Sequence, residues 1–360
     1  MAKKILIVDD SALMRRIICD IIQSDKSYVV SDIATNGEEA LELIVKNLYD
    51  VILLDVNMPK KNGIEVLKEL KSRRKQVKIV MVSSLTKEGA DITLQALELG
   101  AINFIHKPAS ILDAKAEQYK VQLLEIIKEV AYMKMPLLNE NRTVPSKEKT
   151  KIIRKEQGRN ARVATGDKLV AIACSTGGPK ALQSVIPNLP KNLDAPVVVV
   201  QHMPEGFTAS LAERLNNLSE ISVKEGAEGD ILKKGWVYIA RGGKHMKVIK
   251  KGSECVLTYS DEPPREGVKP CANYMYESIC NTDYSKVVCV VMTGMGADGT
   301  EGIGNLMKQK DKKELMVIAQ NEVSCVVYGM PKSVVKAKLA DEIVPLDGIA
   351  KEIITNVGVR

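Results

Sequence analysis

The sequence predicts two α/β domains, and two observations carry that prediction. First, from Lys3 to about Met135, short apolar segments alternate with amphipathic, helix-like segments; the apolar ones are KILIVDD, YVVSDIA, DVILLDV, KIVMVSS and INFIHKP. Such alternation is typical of a doubly wound sheet of parallel strands. Second, the alternation restarts after residue 166, and 360 residues are enough for two hydrophobic cores. The predicted division is a first domain over 1–135, a linker over 136–166 and a second domain over 167–360.

The second domain repeats the pattern with one interruption. Its apolar segments are LVAIACS, APVVVVQH, KVVCVVMTG and ELMVIAQ, and the first three are each followed by a helix-like stretch. Between them, GWVYIA and HMKVIKKGSECVLTYS resemble strands that are joined without helices. Parallel neighbours need a long crossover, whereas antiparallel ones do not. The sequence therefore predicts a mostly parallel α/β domain with an antiparallel insertion.

The linker is basic and lacks apolar periodicity. Between residues 139 and 167 basic side chains outnumber acidic ones, and the whole chain carries a net charge of +7. A local excess of this kind is more typical of a solvated tether than of a nucleic-acid arm, and 4% aromatic residues leave little for base stacking. No recognition-helix module follows the linker, so the sequence disfavours nucleic acid as a partner.

Cysteine usage and the N-terminus point to the cytoplasm. The seven cysteines are scattered, odd in number and never spaced C-x-x-C, which argues against a disulfide framework and against a structural zinc site. The N-terminus has only four consecutive apolar residues before two aspartates, and no later run approaches the roughly 20 residues that cross a bilayer. We therefore expect a cytoplasmic protein that is not inserted in a membrane.

Charged residues end several strands of the first domain. Asp9 and Asp10 follow the first strand, and Asp55 ends the third. Because the carboxyl ends of parallel strands share one edge, these carboxylates should gather there, and a hard cation such as Mg²⁺ would offset their repulsion. Ser83 ends the fourth strand and Lys107 the fifth. A hydroxyl and an ammonium group opposite the acids suggest a site for a phosphoryl group.

This first domain resembles the receiver domain of bacterial response regulators. The resemblance is carried by Asp9-Asp10, Asp55-x-x-Met58-Pro59, Ser83 and Lys107-Pro108. It implies a flavodoxin-like (βα)5 fold in which Asp55 accepts a phosphoryl group from a histidine kinase. It also implies that Ser83 and Lys107 bind the phosphoryl oxygens. The Mg²⁺ ligands that it implies are Asp9, Asp10, Asp55 and the carbonyl of Asn57. Phe104 would change its packing on activation, although ordinary core packing explains it equally well.

A serine, a histidine and an aspartate follow three strands of the second domain. Ser175 follows LVAIAC, His202 follows VVVVQ, and Asp298 lies just beyond VVCVVMT. A serine hydroxyl needs a neighbouring base to become a strong nucleophile, and an imidazole needs a carboxylate to fix its tautomer. Taken singly, the serine could cap a helix and the histidine could be a core residue. Their convergence at one sheet edge favours a Ser-His-Asp catalytic triad.

The turn GMGADG leaves an alternative open. It satisfies G-x-G-x-x-G between a strand and a helix, which is the context of a dinucleotide site. That site also needs an acid at the end of the next strand, where this sequence has Gln320 and Asn321 before Glu322. Glycines in such a turn equally allow close backbone approach and free N–H groups that stabilise an oxyanion. A catalytic turn is favoured over an NAD site.

The second domain resembles CheB-type chemotaxis protein-glutamate methylesterases, with a Rossmann-like catalytic fold. The resemblance is carried by the segments 175–179 (STGGP), 201–204 (QHMP), 293–299 (TGMGADG) and 324–331 (SCVVYGMP). It implies that Ser175 is the nucleophile, His202 the general base and Asp298 its orienting partner. It places the Met295 N–H and Thr176 near the oxyanion. The implied reactions are hydrolysis of glutamate methyl esters and deamidation of glutamines on chemoreceptors, without a cofactor for the esterase chemistry.

Several residues depart from the pattern or compete with it. Ala173 stands where such sequences usually carry glycine, and Arg241 stands where proline is common. Cys174 is a rival nucleophile, but adjacent strand residues point to opposite faces, so it should face away from Ser175. For His245 we expect a structural role.

The resemblance also suggests how the two domains cooperate. A chemotaxis histidine kinase would phosphorylate Asp55, and methylated chemoreceptors would be the substrate. The unphosphorylated first domain is expected to cover the catalytic edge, and phosphorylation to release it. Two alternatives stay open: a phosphorylation-dependent binding module whose triad is inert, and an NAD-binding enzyme that uses GMGADG.

Overall fold

A computed structural model describes residues 2–84, 86–108, 117–133, 167–308 and 313–360. The chain divides into two units, Met1–Pro136 and Leu137–Arg360. The predicted linker 136–166, with its basic excess, lies outside the described residues. The predicted boundaries therefore stay a prediction.

The first unit is a five-stranded parallel sheet with helices between its strands. The strands are β1 (Lys3–Val8), β2 (Tyr28–Ala34), β3 (Val51–Asp55), β4 (Ile79–Ser83) and β5 (Asn103–His106). The helices are α1 (Ala12–Gln23), α2 (Gly37–Lys46), α3 (Gly63–Ser72), α4 (Lys87–Leu99) and α5 (Glu117–Tyr132). The strand order is β2-β1-β3-β4-β5 and every pairing is parallel. The predicted doubly wound fold is confirmed.

Local sequence explains why helices begin directly after these strands. The Ser11 hydroxyl accepts a hydrogen bond from the N–H of Met14 and so caps α1. Asn62 and Glu65 form a reciprocal capping box at the start of α3. β3 and β4 are buried along their whole length, as expected for central strands covered by helices on both faces.

The second unit has a seven-stranded parallel sheet and a separate hairpin. Its strands are β6 (Lys168–Cys174), β7 (Val197–Gln201), β8 (Ser222–Glu225), β9 (Trp236–Ile239), β10 (His245–Lys251), β11 (Glu254–Ser260), β12 (Lys286–Val291), β13 (Glu314–Gln320) and β14 (Glu342–Val344). Its helices are α6 (Gly178–Val185), α7 (Phe207–Leu218), α8 (Ala272–Ser278), α9 (Thr300–Met307), α10 (Met330–Lys336) and α11 (Leu346–Val357). The sheet order is β14-β13-β12-β6-β7-β9-β8.

This arrangement confirms a mostly parallel domain with an antiparallel insertion, with one correction. The insertion is the β10–β11 hairpin alone. GWVYIA forms β9, which pairs in parallel with both β7 and β8. The sequence suggested otherwise because no helix separates β9 from β10.

Strand register brings three loops to one edge of this sheet. In the pairing of β6 with β7, Cys174 lies opposite Gln201, and in the pairing of β6 with β12, Ala173 lies opposite Val291. These three strands therefore end level with one another, and the loops that follow them are neighbours. Within the part of the chain that the structure describes, no helix is long and apolar enough to cross a membrane.

Candidate functional site

The loops after β6, β7 and β12 are joined by backbone hydrogen bonds. The His202 N–H donates to the Cys174 carbonyl at 3.1 Å, and the Ser175 N–H donates to the Thr293 carbonyl at 3.0 Å. Ser175 thus lies between the loop that holds His202 and the loop that leads to Asp298. The structure places the three predicted triad residues along one edge of the sheet.

His202 and Asp298 form a direct pair. His202 Nε2 lies 2.7 Å from Asp298 Oδ2, and the two side chains are only 9% and 3% exposed. Because Nε2 faces the carboxylate, the other ring nitrogen, Nδ1, is the one left to accept a proton from a hydroxyl. The geometry corresponds to the base and the orienting acid of a triad.

The Asp298 carboxylate sits in a cradle of donors. Besides His202, its oxygens accept hydrogen bonds from the N–H groups of Ala272 at 2.6 Å and Asn273 at 2.9 Å, and from the Cys271 thiol at 3.0 Å. Burial favours the neutral acid and by itself would raise the pKa of Asp298. The hydrogen bonds outweigh the effect of burial, the one from His202 most of all, and lower the pKa of Asp298. The acid is therefore ionised and can fix the orientation of the imidazole.

Ser175 is held through its main chain, while its hydroxyl is free. Its carbonyl accepts hydrogen bonds from the Gly178 N–H at 2.7 Å and from the Gln201 side-chain amide at 3.0 Å. Within the described residues the hydroxyl makes no hydrogen bond, and the side chain is half-buried. The predicted contact between this hydroxyl and Nδ1 of His202 stays a prediction.

Close packing and backbone conformation account for the glycines of the GMGADG turn. A Cβ on Gly294 would lie 2.7 Å from the Cβ of Ser175 and 2.4 Å from the sulfur of Met330. Gly296 and Gly299 have φ angles of +81° and +91°, which favour glycine. Gly294 is thus small because it lies against the serine, and the three glycines do not require a dinucleotide to explain them.

The two residues predicted near the oxyanion lie at the same edge. The Met295 N–H has no protein acceptor among the described residues, and its side chain is 39% exposed. Thr176 is buried, and its carbonyl accepts a hydrogen bond from the Thr293 hydroxyl at 2.9 Å. A free N–H beside the serine is what an oxyanion site requires.

The residues that competed with the triad take structural positions. Cys174 is fully buried, its thiol donates to Gln201 Oε1 at 3.1 Å, and burial raises the pKa of that thiol, so it is a poor nucleophile. His245 is also buried: Nδ1 accepts from the Cys271 N–H, so Nε2 donates to the Pro263 carbonyl. Burial lowers the pKa of His245, which keeps the ring neutral.

The departures from the family pattern are accommodated without distortion of the site. Ala173 is fully buried in β6, and its Cβ lies 3.8 Å from the position that a Cβ on Gly299 would take. Arg241 is exposed and pairs with Glu205 at 3.4 Å.

Sequence reasoning missed three residues that shape the site. Gln201, Cys271 and Asn273 contact the triad residues or their loops through side chains that are buried. Gln201 could have been predicted from the sequence, because it precedes His202 at the end of a buried strand, and a buried polar side chain needs hydrogen-bond partners. Cys271 and Asn273 lie at the start of α8, which follows a loop whose sequence carries no recognisable pattern.

The edge of the first unit gathers the predicted acids. One oxygen from each of Asp9, Asp10 and Asp55 can be chosen so that all lie within 4.8 Å of one another. Lys107 Nζ lies 2.6 Å from an Asp55 oxygen and 2.9 Å from an Asp9 oxygen. Burial raises the pKa of Asp55 to about 6, although the Lys107 ammonium opposes this. Three carboxylates this close suit a hard cation such as Mg²⁺.

The remaining residues of that edge occupy defined positions. The Asn57 N–H donates to an Asp55 oxygen at 3.4 Å. The Ser83 hydroxyl donates to the Gly89 carbonyl at 3.2 Å and accepts from the Thr93 hydroxyl at 2.7 Å. Phe104 is buried. The coordination by the Asn57 carbonyl, the phosphoryl contact of Ser83 and the switch role of Phe104 stay predictions.

Comparison with known proteins agrees with this geometry. Residues 170–353 match the CheB methylesterase family and residues 5–116 match the response regulator receiver domain. The protein-glutamate methylesterase/protein-glutamine glutaminase of Bacillus licheniformis is 44% identical over 352 residues, covering 98% of each chain. Its counterpart in Bacillus subtilis strain 168 is 45% identical over 353 residues, covering 97% of each.

A solved structure supports the same assignment. The catalytic domain of Thermotoga maritima CheB methylesterase is 41% identical, with a TM-score of 0.50, and the match covers 52% of this chain and 97% of that one. The family models together cover both units, and the relatives match along nearly the whole length. The chain therefore belongs to the CheB family of protein-glutamate methylesterases/protein-glutamine glutaminases, with a response regulator receiver domain ahead of the methylesterase domain.

Proposed function

We propose that the chain is a phosphorylation-activated hydrolase of bacterial chemotaxis. It removes methyl groups from glutamate methyl esters on chemoreceptors and deamidates receptor glutamines, and so adapts the sensory response. The observation that carries the proposal is the 2.7 Å pair between His202 and Asp298 beside the loop of Ser175. The names of its relatives supply the substrate class.

The reaction follows from the roles of three side chains. Ser175 Oγ attacks the ester carbonyl carbon while its proton passes to Nδ1 of His202. Collapse of the tetrahedral intermediate breaks the bond to the methoxy oxygen, which takes that proton and leaves as methanol. Water then attacks the acyl-enzyme along the same path, which frees the glutamate side chain and restores the serine. A glutamine side chain loses ammonia instead.

The negative charge of the intermediate needs nearby donors. The Met295 N–H and Thr176 take this role in the proposal. One observation supports this role: the Met295 N–H has no protein acceptor among the described residues. It can therefore donate to the oxyanion without first breaking another hydrogen bond. Asp298 contributes by stabilising the imidazolium that forms on His202.

The receiver domain supplies the control. Asp55 accepts the phosphoryl group from a chemotaxis histidine kinase, and Ser83 and Lys107 hold its oxygens. The ligands of Mg²⁺ are Asp9, Asp10, Asp55 and the Asn57 carbonyl. When bound, the cation neutralises charge on the transferring phosphoryl group. A cytoplasmic location suits a chain whose seven cysteines are all unpaired.

Methanol release from methylated receptor membranes tests the proposal. Replacement Ser175→Ala should abolish release, with a loss of about 10³-fold or more, because no nucleophile remains. Ser184→Ala, an exposed serine on α6, is the matched control and should keep the wild-type rate. Equal release by wild type and Ser175→Ala would refute the serine mechanism. A wild-type protein that is phosphorylated but releases no methanol would instead point to an inert binding module.

A further inference from the structure

One buried glutamine touches both the nucleophile and the base. Gln201 is the last residue of β7 and is 2% exposed. Its amide nitrogen donates one hydrogen bond to the Ser175 carbonyl and one to the His202 carbonyl, both at 3.0 Å. Both N–H bonds of the amide are therefore used, and each ends on a residue of the candidate triad.

The surroundings fix this amide in one orientation. Gln201 Oε1 accepts a hydrogen bond from the Cys174 thiol at 3.1 Å. A Cβ on Gly178 would lie 1.9 Å from the same oxygen, so the glycine at the start of α6 makes room for the side chain. The amide thus fills the buried space between the ends of β6 and β7 and the first turn of α6. Such a side chain has little freedom to move, and neither do the carbonyls that it holds.

We infer that Gln201 is a positioning residue for the hydrolase reaction, whose amide sets the spacing between Ser175 and His202. The inference rests on the proposed function, because it concerns the same two catalytic residues. Asp298 orients the imidazole ring, while Gln201 fixes the two main chains from which the hydroxyl and the ring project. Proton transfer depends steeply on this spacing, and a displacement of about 1 Å can cost about 10²-fold in rate.

The first test replaces the amide with an apolar group of the same length. Gln201→Met in the full-length protein, activated with acetyl phosphate, should lower kcat for methanol release by about 10- to 100-fold. The KM should stay within about threefold, because Gln201 is buried and its amide bonds only to protein groups. The rate at which a fluorophosphonate labels Ser175 should fall by the same factor as kcat. A purely structural residue would lower Tm without this split between kcat and KM.

Thr282 provides a control at the opposite edge of the sheet. Its side chain is 6% exposed, it precedes the amino end of β12, and its hydroxyl donates to the Ile279 carbonyl at 2.8 Å. The triad residues instead follow the carboxyl ends of the strands. Thr282→Val should lower Tm while kcat changes less than about threefold. An equal fall of kcat in both variants would overturn the inference.

A second variant decides the matter if Gln201→Met does not fold. In Gln201→Glu the carboxylate faces two carbonyl oxygens, and burial raises the pKa of this introduced carboxyl. Once protonated, it can donate to one of the two carbonyls. Its kcat relative to wild type should therefore rise as the pH falls. The ionisable groups nearest the position are Cys174, His202 and Asp298, which are present in both proteins.

The outcomes separate this inference from the proposed function. A ratio that does not change with pH, or wild-type kcat in either Gln201 variant, would overturn the positioning role. The proposed function would fail differently, through a wild-type protein that neither releases methanol nor reacts with the fluorophosphonate. In that case the positioning role falls with it.

Discussion

The Asp298 carboxylate receives hydrogen bonds from four groups outside its own turn: His202, Cys271, Ala272 and Asn273. Each donor withdraws negative charge from the oxygens that orient His202. The carboxylate must be ionised to stabilise an imidazolium. A carboxylate with too much negative charge at the ring, however, would keep an imidazole protonated, and a protonated imidazole cannot act as a base. The Cys271 thiol, a weak donor, offers a way to adjust this balance by mutation.

Cys271→Ala should therefore move the acid limb of the pH–rate profile to higher pH. Loss of the thiol donor raises the pKa of Asp298 from its lowered value and leaves more negative charge facing His202. The carboxylate then takes up its proton at a higher pH, so on the acidic side kcat/KM falls to half its maximum about half a pH unit higher. Tyr276 and Glu277, the other ionisable groups that interact with Asp298, are unchanged in the variant. Measurement of kcat/KM from about pH 3 to 7, the range in which carboxyl groups titrate, checks this.

Two variants control for the loss of a buried thiol. Cys271→Ser keeps a donor at this position and should restore the wild-type profile. Cys289→Ala removes another fully buried thiol, in β12, which lies opposite Ala171 and makes no hydrogen bond to a triad residue among the described residues. This variant should leave the profile in place. An unshifted profile in Cys271→Ala would show that the thiol does not influence the acid.

At the scale of elements, α8 and α9 cap each other. Asp298, just before α9, accepts from the N–H groups of Ala272 and Asn273 at the start of α8. In return the Asn273 side chain accepts from the N–H groups of Gly299 at 3.0 Å and Gly302 at 2.7 Å at the start of α9. Two N–H groups at the start of each helix are thus satisfied, and Asp298, the acid of the candidate triad, provides one of the two acceptors.

Removal of this reciprocal cap should loosen both helices. Asn273→Ala leaves the buried Gly302 N–H without its acceptor and the Gly299 N–H with Asp298 Oδ1 alone. The free energy of unfolding of the second unit should therefore fall by about 1–3 kcal/mol. Native-state hydrogen exchange should become faster in the first turn of α9. Asn188→Ala is the control, because that side chain is exposed and bonds only within its own helical segment. Protection of α9 that is the same in both variants would contradict the capping role.

The strand ends could be predicted from the sequence, whereas the supporting contacts could not. Ser175 and His202 each follow an unbroken apolar run, and parallel strands end at one edge, so their proximity follows from local pattern. Cys271 and Asn273 contact Asp298 across 27 and 25 residues of sequence, from the start of a helix that follows a loop with no periodicity. The parallel pairing of β9 was missed for a related reason, since which strands pair depends on contacts that no local pattern records.

At the scale of the whole molecule, a phosphoacceptor can control a hydrolase in the same chain only through a coupling free energy between them. Ser83 suggests where a conformational change begins. In this structure its hydroxyl is bonded to the Gly89 carbonyl and to the Thr93 hydroxyl on α4, so it must exchange these partners to bind a phosphoryl oxygen. Phosphorylation of Asp55 would then favour a different position of α4, and the catalytic domain would respond to that change.

Acetyl phosphate with Mg²⁺ should therefore raise the rate of methanol release. Coupling energies of the usual size predict an increase of about 5- to 150-fold for wild type. Asp55→Asn cannot form the acyl phosphate and should keep its basal rate under the same conditions. Deletion of residues 1–162 should raise the unphosphorylated rate, because the inhibiting state is removed with the receiver. Equal rates with and without acetyl phosphate, in a sample shown by mass to be phosphorylated, would mean that the two domains act independently.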